Sequence, residues 1–170
     1  MTVERTDDGR YIVVDGRRWR ASDPSIPPKL NQELVDELMS ARRAVRTDPE
    51  AARPRVQDAK VALGERGEPW WDEPTVDGRR DRLAATMRAL LHHRDTDKTI
   101  CPSDAARVVG GDGWRSIMDD ARAVATQLHD DGVVRVRQHG ADVDPRAAKG
   151  PLRIARGPNW PASADTQGGS

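Results

Sequence analysis

Along this chain apolar and polar positions first alternate, then recur with a helical period, then alternate again, and each change of period marks an element. Tyr11-Ile12-Val13-Val14 is strand-prone, and Asp15-Gly16 supplies a two-residue turn of positive φ, so residues 11–20 are predicted to form a hairpin. With Val14 opposite Arg17 and Ile12 opposite Trp19, one side carries Ile12, Val14 and Trp19 and is expected to be core; the other carries Tyr11, Arg18 and Arg20. After Pro24, Pro27 and Pro28, the stripe Leu30, Leu34, Val35, Leu38, Met39 and Val45 predicts a helix over 29–46. Val56, Ala59 and Leu63 predict a second helix over 51–65, ended by Gly64 and Gly67 and folded back on the first through Thr47-Asp48-Pro49.

Residues 68–80 hold Pro69, Trp70, Trp71, Pro74 and Gly78 among acidic residues, a composition that suits an irregular connection. Beyond it, Leu83, Met87, Leu90 and Leu91 lie on one face of a helix ending at His93, and Lys98-Thr99-Ile100 reads as extended. Pro102 and Asp104 suit the first turn of a short helix over 102–109. The chain then turns at Gly110-Gly111-Asp112-Gly113. Trp114, Ile117, Met118, Ala121, Val124, Ala125 and Leu128 predict one long amphipathic helix, stopped by Gly132. Residues 133–137 and 151–156 alternate as two strands of a long-tipped hairpin. Helix, short strand, helix, turn, helix and a two-stranded ribbon is the order of a winged helix-turn-helix. The expected architecture is therefore α+β: a hairpin and helical pair over 1–68, a linker over 69–80, a winged-helix-like unit over 81–157 and a disordered tail over 158–170.

Composition narrows the function classes more than it selects one. Apolar residues make up 36% and charged residues 33% of 170, with 14 Gly and 12 Pro, so the core must be thin and the loops many. No run approaches the ~20 apolar residues of a membrane span, and the first ten residues lack a signal-peptide apolar stretch, so a cytoplasmic protein is expected. The single Cys101 excludes an internal disulfide and a cysteine-rich zinc site. Basic and acidic residues balance at 28 each, which leaves only local patches to attract nucleic acid.

Thr99-Ile100-Cys101-Pro102-Ser103-Asp104-Ala105-Ala106-Arg107, Trp114-Arg115, Asp144-Pro145 and Gly150-Pro151-Leu152-Arg153-Ile154 follow one another in an order that resembles the bacterial domain-of-unknown-function family numbered 3253. The resemblance covers nearly half the chain and implies a small helical fold with a wing. It implies no activity.

Between Gly132 and Arg156 six basic residues, Arg135, Arg137, Arg146, Lys149, Arg153 and Arg156, face two acidic ones, Asp142 and Asp144, for a net of +4. Such a cluster can neutralise phosphates, and Arg135, Arg137 and Arg153 stand at alternate strand positions. Arg115 and Arg122 on the third helix are candidate contacts to base edges or backbone. Against groove reading, five aspartates outnumber those two arginines over residues 112–131, a net of −3. Duplex DNA is thus one expected partner. The other is a protein, met by a surface holding Trp70 and Trp71, although packing within the chain is the favoured reading of two such indoles. Cys101 at a helix start, with His92 and His93 ending the preceding helix, is read as a structural thiol rather than a nucleophile. His92, His93, His129 and His139 lack metal-ligand spacing and no phosphate loop is present, so no enzyme, metal or cofactor is expected.

Overall fold

The computed structural model describes residues 3–161, a mixed α+β fold of helices and two small antiparallel sheets. The first sheet has the order β1 (Glu4–Arg5), β2 (Tyr11–Val14), β3 (Arg17–Arg20). Val14 pairs with Arg17 and Ile12 with Trp19, the register set by Asp15 and Gly16 at φ 51° and 76°. β1 is an addition to the expected hairpin. Two charged residues carry no strand signal, and the strand is held instead by Thr6, whose N–H donates to the Tyr11 carbonyl and whose Oγ1 accepts from the Tyr11 N–H.

The expected core side of this hairpin does not face the core. Trp19 is 41% exposed and is covered by cations, with the Arg17 guanidinium 4.4 Å and the Lys60 ammonium 5.6 Å from its ring centre. The opposite face makes the attachment. Tyr11 meets Trp71 edge-on at 5.6 Å, Trp71 meets Trp70 at 5.2 Å, and the Trp70 indole N–H donates to the Ala21 carbonyl at 2.9 Å.

Helices α1 (Pro28–Ala44) and α2 (Pro49–Leu63) pack on each other, with Pro28 and Pro49 in first turns and the Asp48 carboxylate accepting from the Ala51 N–H. The stripe of α1 buries Leu30, Leu34 and Leu38, whereas Met39 stays on the surface. Helix α3 (Val76–His93) starts five residues before the position its apolar period suggests. Its start is made by polar groups: the Thr75 hydroxyl accepts from the Gly78 N–H and donates to Glu68, whose other carboxylate oxygen accepts from the Thr75 N–H. An exposed Val76 followed by Asp77 and Gly78 gives no periodic sign of that first turn.

Helix α4 (Pro102–Gly110) opens with Pro102 in its first turn and the Asp104 carboxylate accepting from the Cys101 N–H. The single long helix expected from Trp114 onward is two elements, a 3₁₀ segment (Gly111–Ile117) and α5 (Met118–Asp130). Trp114 and Ile117 lie three apart, a spacing that serves either winding, and Ile117 leaves helical geometry at φ −112°, ψ 12° as it turns into the core. Gly132, at φ +75°, ends α5: its own N–H donates to the His129 carbonyl and the Val133 N–H to that of Leu128.

The second sheet has the order β5 (Ala141–Asp142), β4 (Val134–Gln138), β6 (Arg153–Arg156), and Ile100 bridges to Ile154 beyond β6. One hydrophobic cluster runs through the whole assembly, from Leu30, Leu34 and Leu63 through Leu83, Met87 and Leu90 to Ile100, Val124, Leu128 and Ile154. Three ion pairs join α3 and its end to the first half: Arg82 to Asp23, Arg88 to Asp58 and Arg94 to Glu33.

The stretch expected to be a disordered tail starts in ordered form. The Asn159 N–H donates to the Gly132 carbonyl, its side-chain amide donates to the Asp131 carbonyl, and Trp160 rests on His92. Residues 162–170 lie outside the described residues. Gly157 makes this return possible by proximity alone: a Cβ there would sit 2.8 Å from the Val134 nitrogen and carbonyl carbon, both backbone. Gly157→Ala should therefore lower stability by about 1–3 kcal/mol or more, read as a lower urea midpoint at unchanged m-value. A wild-type midpoint would show that the β6 end moves away freely.

Candidate nucleic-acid interface

The ladder between β4 and β6 decides which cations share a face. Val134, Val136 and Ile154 point into the core, so the alternate residues Arg135, Arg137 and Arg153 point outward. Arg137 stands directly opposite Arg153 and Arg135 opposite Ala155, so the three guanidinium groups form one cluster on the exposed face. Two like charges in register repel. Each is steadied locally: Arg137 Nη2 donates to the Gly140 carbonyl and its Nε lies 3.2 Å from Asp142, while Arg153 donates to the Oγ1 and carbonyl oxygen of Thr99 at 2.8 and 3.0 Å. The tip turns at His139-Gly140, with φ 54° and 80°. Lys149 is exposed in the connection that follows, and neither it nor Arg135 makes a side-chain hydrogen bond or ion pair among the described residues.

The remaining candidates lie elsewhere. Arg156 pairs with Val134, so it leaves the ladder from the opposite face; its guanidinium donates to the carbonyls of Leu91, His92 and Arg94 and closes the C-terminal end of α3. Arg122 donates to the carbonyls of Gly150 and Ala148, tying the connection between β5 and β6 to α5. Arg146 forms a two-pronged pair with Asp130, which raises its own pKa and lowers that of Asp130. Arg115 stacks on Trp114 at 4.5 Å, and Arg107, from α4, reaches the same ring at 4.7 Å. Arg107 was not among the sequence candidates; an arginine, a tryptophan and a second arginine around the turn between helices was the signal for it.

The acidity of residues 112–131 is weaker in space than along the chain. Asp120 is paired by Arg79 and Arg80 of α3 at 3.1 and 3.4 Å, and Asp130 by Arg146, so two of the five aspartates are balanced from outside the segment. Asp112, Asp119 and Asp131 remain exposed.

Trp70 and Trp71 are half-buried in the attachment of the first sheet, and Arg10 and Arg20 lie over Trp71. Cys101 is half-buried at the start of α4. Among the described residues no set of three His, Cys, Asp or Glu side chains comes together as a metal-ligand group, and no helix is long and apolar enough to cross a membrane.

Residues 80–157 match the family described as Protein of unknown function (DUF3253). No curated protein matches the chain. The DUF3253 region begins within α3 and ends at Gly157, the residue whose lack of a side chain lets the chain pass Val134. All the cationic candidates fall inside it, and Trp70 and Trp71 fall outside.

Proposed function

We propose that the DUF3253 region is a winged helix-turn-helix and that the chain is a non-enzymatic accessory protein that holds the phosphate backbone of duplex nucleic acid through its wing. Helix α3, the Ile100 bridge, α4, the 3₁₀ turn with α5, and the β4–β6 ribbon follow the order of that fold. The observation that carries the reading is the ladder register, which sets Arg135, Arg137 and Arg153 on one exposed face with Lys149 in the connection beyond the tip. Exposed Asp112 and Asp119 near the start of the third helix favour backbone contact over base reading, with Arg107 and Arg115 as flanking cations. The protein-docking alternative draws less support, because contacts within the chain engage both Trp70 and Trp71.

Titration onto duplex DNA should give affinity that falls steeply with salt. Replacing Arg135, Arg137 and Arg153 together by alanine should weaken binding alike on all sequences and reduce the slope of log affinity against log salt by about 2–3. Arg115→Ala should leave any sequence preference in place. Absence of binding at low salt, or a triple variant that binds as wild type, would remove the wing from the account.

A further inference from the structure

On the other side of the ladder from the wing cluster lies a cavity of about 620 Å³, between α2, the end of α3 and Trp160. Its cationic lining is Arg55, Arg88 and Arg156; Ala51, Pro54 and Trp160 supply apolar wall. Each guanidinium is held through its Nε and Nη2, the Arg55 Nη2 reaching Ser40 Oγ as well at 3.3 Å. Arg55 gives Nε and Nη2 to the Glu37 carboxylate at 2.9 Å each, Arg88 gives the same two atoms to Asp58 at 3.0 Å each, and Arg156 gives them to the carbonyls ending α3. Among the described residues the Nη1 groups of all three donate to nothing. The bidentate pairs hold two of these planar groups rigidly, so their remaining donors are presented without further ordering cost.

The carboxylates of Glu37 and Asp58 offset Arg55 and Arg88, but among the described residues no carboxylate pairs with Arg156. His92 shares the cavity and reports its field: burial first, then the charges of Arg55, Arg156 and Arg88, hold it neutral with a pKa of about 3. Its ring rests against Trp160 with centroids 4.5 Å apart.

We propose that this cavity binds a small phosphorylated molecule with a planar apolar body, of the nucleoside monophosphate class, its phosphate oxygens taken by the Nη1 groups of Arg55, Arg88 and Arg156 and its body lying along Trp160 and Pro54. Three separate guanidinium edges match a group with three terminal oxygens and close to two charges better than a carboxylate with two oxygens and one. The cavity volume lies within the usual range for small-ligand sites. Among the described residues Glu50 at the rim is the one unpaired carboxylate that opposes an anion there.

The test uses adenosine monophosphate as probe, with adenosine and inorganic phosphate as the two half-ligands, followed by calorimetry and by the indole N–H resonance of Trp160. Adenosine monophosphate should bind at least about tenfold more tightly than either half, because both walls are then used. Ala51 sits half-buried on α2 and lines the cavity, so its replacement tests charge without touching a guanidinium. Ala51→Glu should weaken binding about tenfold by setting a like charge beside the phosphate, whereas Ala51→Gln should stay within about twofold of wild type, both keeping the wild-type melting curve. Glu50→Gln should tighten binding. The wing variant lacking Arg135, Arg137 and Arg153 should bind the nucleotide as wild type does, which separates this site from the DNA reading. Equal affinity for adenosine and its monophosphate, equal loss in the two Ala51 variants, or no binding at millimolar probe would overturn the proposal.

Discussion

Arg55→Met should destabilise the protein by about 3–5 kcal/mol, a large part of the 5–15 kcal/mol available to a domain of this kind. Glu37 is 1% exposed and sits on the buried side of α1 beside Leu34 and Leu38, and Arg55 is the residue that makes its charge tolerable there. The two groups meet as a fork at 2.9 Å, and that bond raises the Arg55 pKa. With the guanidinium gone, the carboxylate must either stay charged in an apolar setting or take up a proton. The double replacement Glu37→Leu with Arg55→Met should recover most of the loss, because it removes the desolvated charge along with its partner. Urea unfolding of the four proteins of this cycle measures the coupling directly. A cost below about 1 kcal/mol for Arg55→Met would place the pair with exposed ion pairs, which contribute little.

Local chemistry was legible in the chain, and contacts between distant segments were not. The hairpin register follows from Asp15-Gly16, since a two-residue turn with positive φ at both positions leaves one pairing. The end of α5 follows from Gly132 in the same way. Strand parity even sorts the cations of the second sheet: 135, 137 and 153 share a face in the observed register, and 156 must lie on the other, where it closes α3. What the sequence did not reveal is where charge is balanced. A count over 112–131 makes the 3₁₀ segment and α5 acidic, but Asp120 finds its arginines on α3 and Asp130 finds Arg146 between β5 and β6, partners 40 or 41 and 16 residues away. Likewise nothing in the chain pattern marks Glu37, Asp58 and Glu33 as the partners of Arg55, Arg88 and Arg94. The first turn of α3 escaped because its cap is assembled by Glu68 from seven residues upstream of Thr75, and capping-box spacing is three. The break at Ile117 escaped because a repeat of three residues fits a 3₁₀ turn as well as an α-helix.

Stability should also fall on acidification before the carboxylates begin to titrate, and His92 is the reason. In the unfolded chain the imidazole protonates near its ordinary value of 6.5, but in the fold only at about 3. Protons therefore bind the unfolded state preferentially through this window, so the contribution is complete above pH 6.5 and is lost progressively down to about 3. The slope for one such group approaches 1.4 kcal/mol per pH unit, so wild type should lose up to roughly 2–3 kcal/mol more than His92→Gln between pH 7 and 4.5, less whatever solvent reaches the ring. The comparison with the variant matters because other groups bend the curve lower down. Burial raises Asp58 and Glu65, which oppose the loss, while hydrogen bonds lower Asp8, Glu68 and Asp130, which add to it. Those groups are common to both proteins and cancel in the difference. Around the ring stand Arg55, Arg88 and Arg156, with Asp58 and Glu50 as the facing carboxylates. A phosphate seated among the three guanidinium groups offsets part of the charge that keeps the imidazole neutral, so saturating adenosine monophosphate should narrow the gap between the acid slopes of wild type and His92→Gln, the phosphate's own protonation at pH ~6 being common to both. Parallel curves for the two proteins without nucleotide would mean that the imidazole is solvated, and that the arginines around it do not share one field.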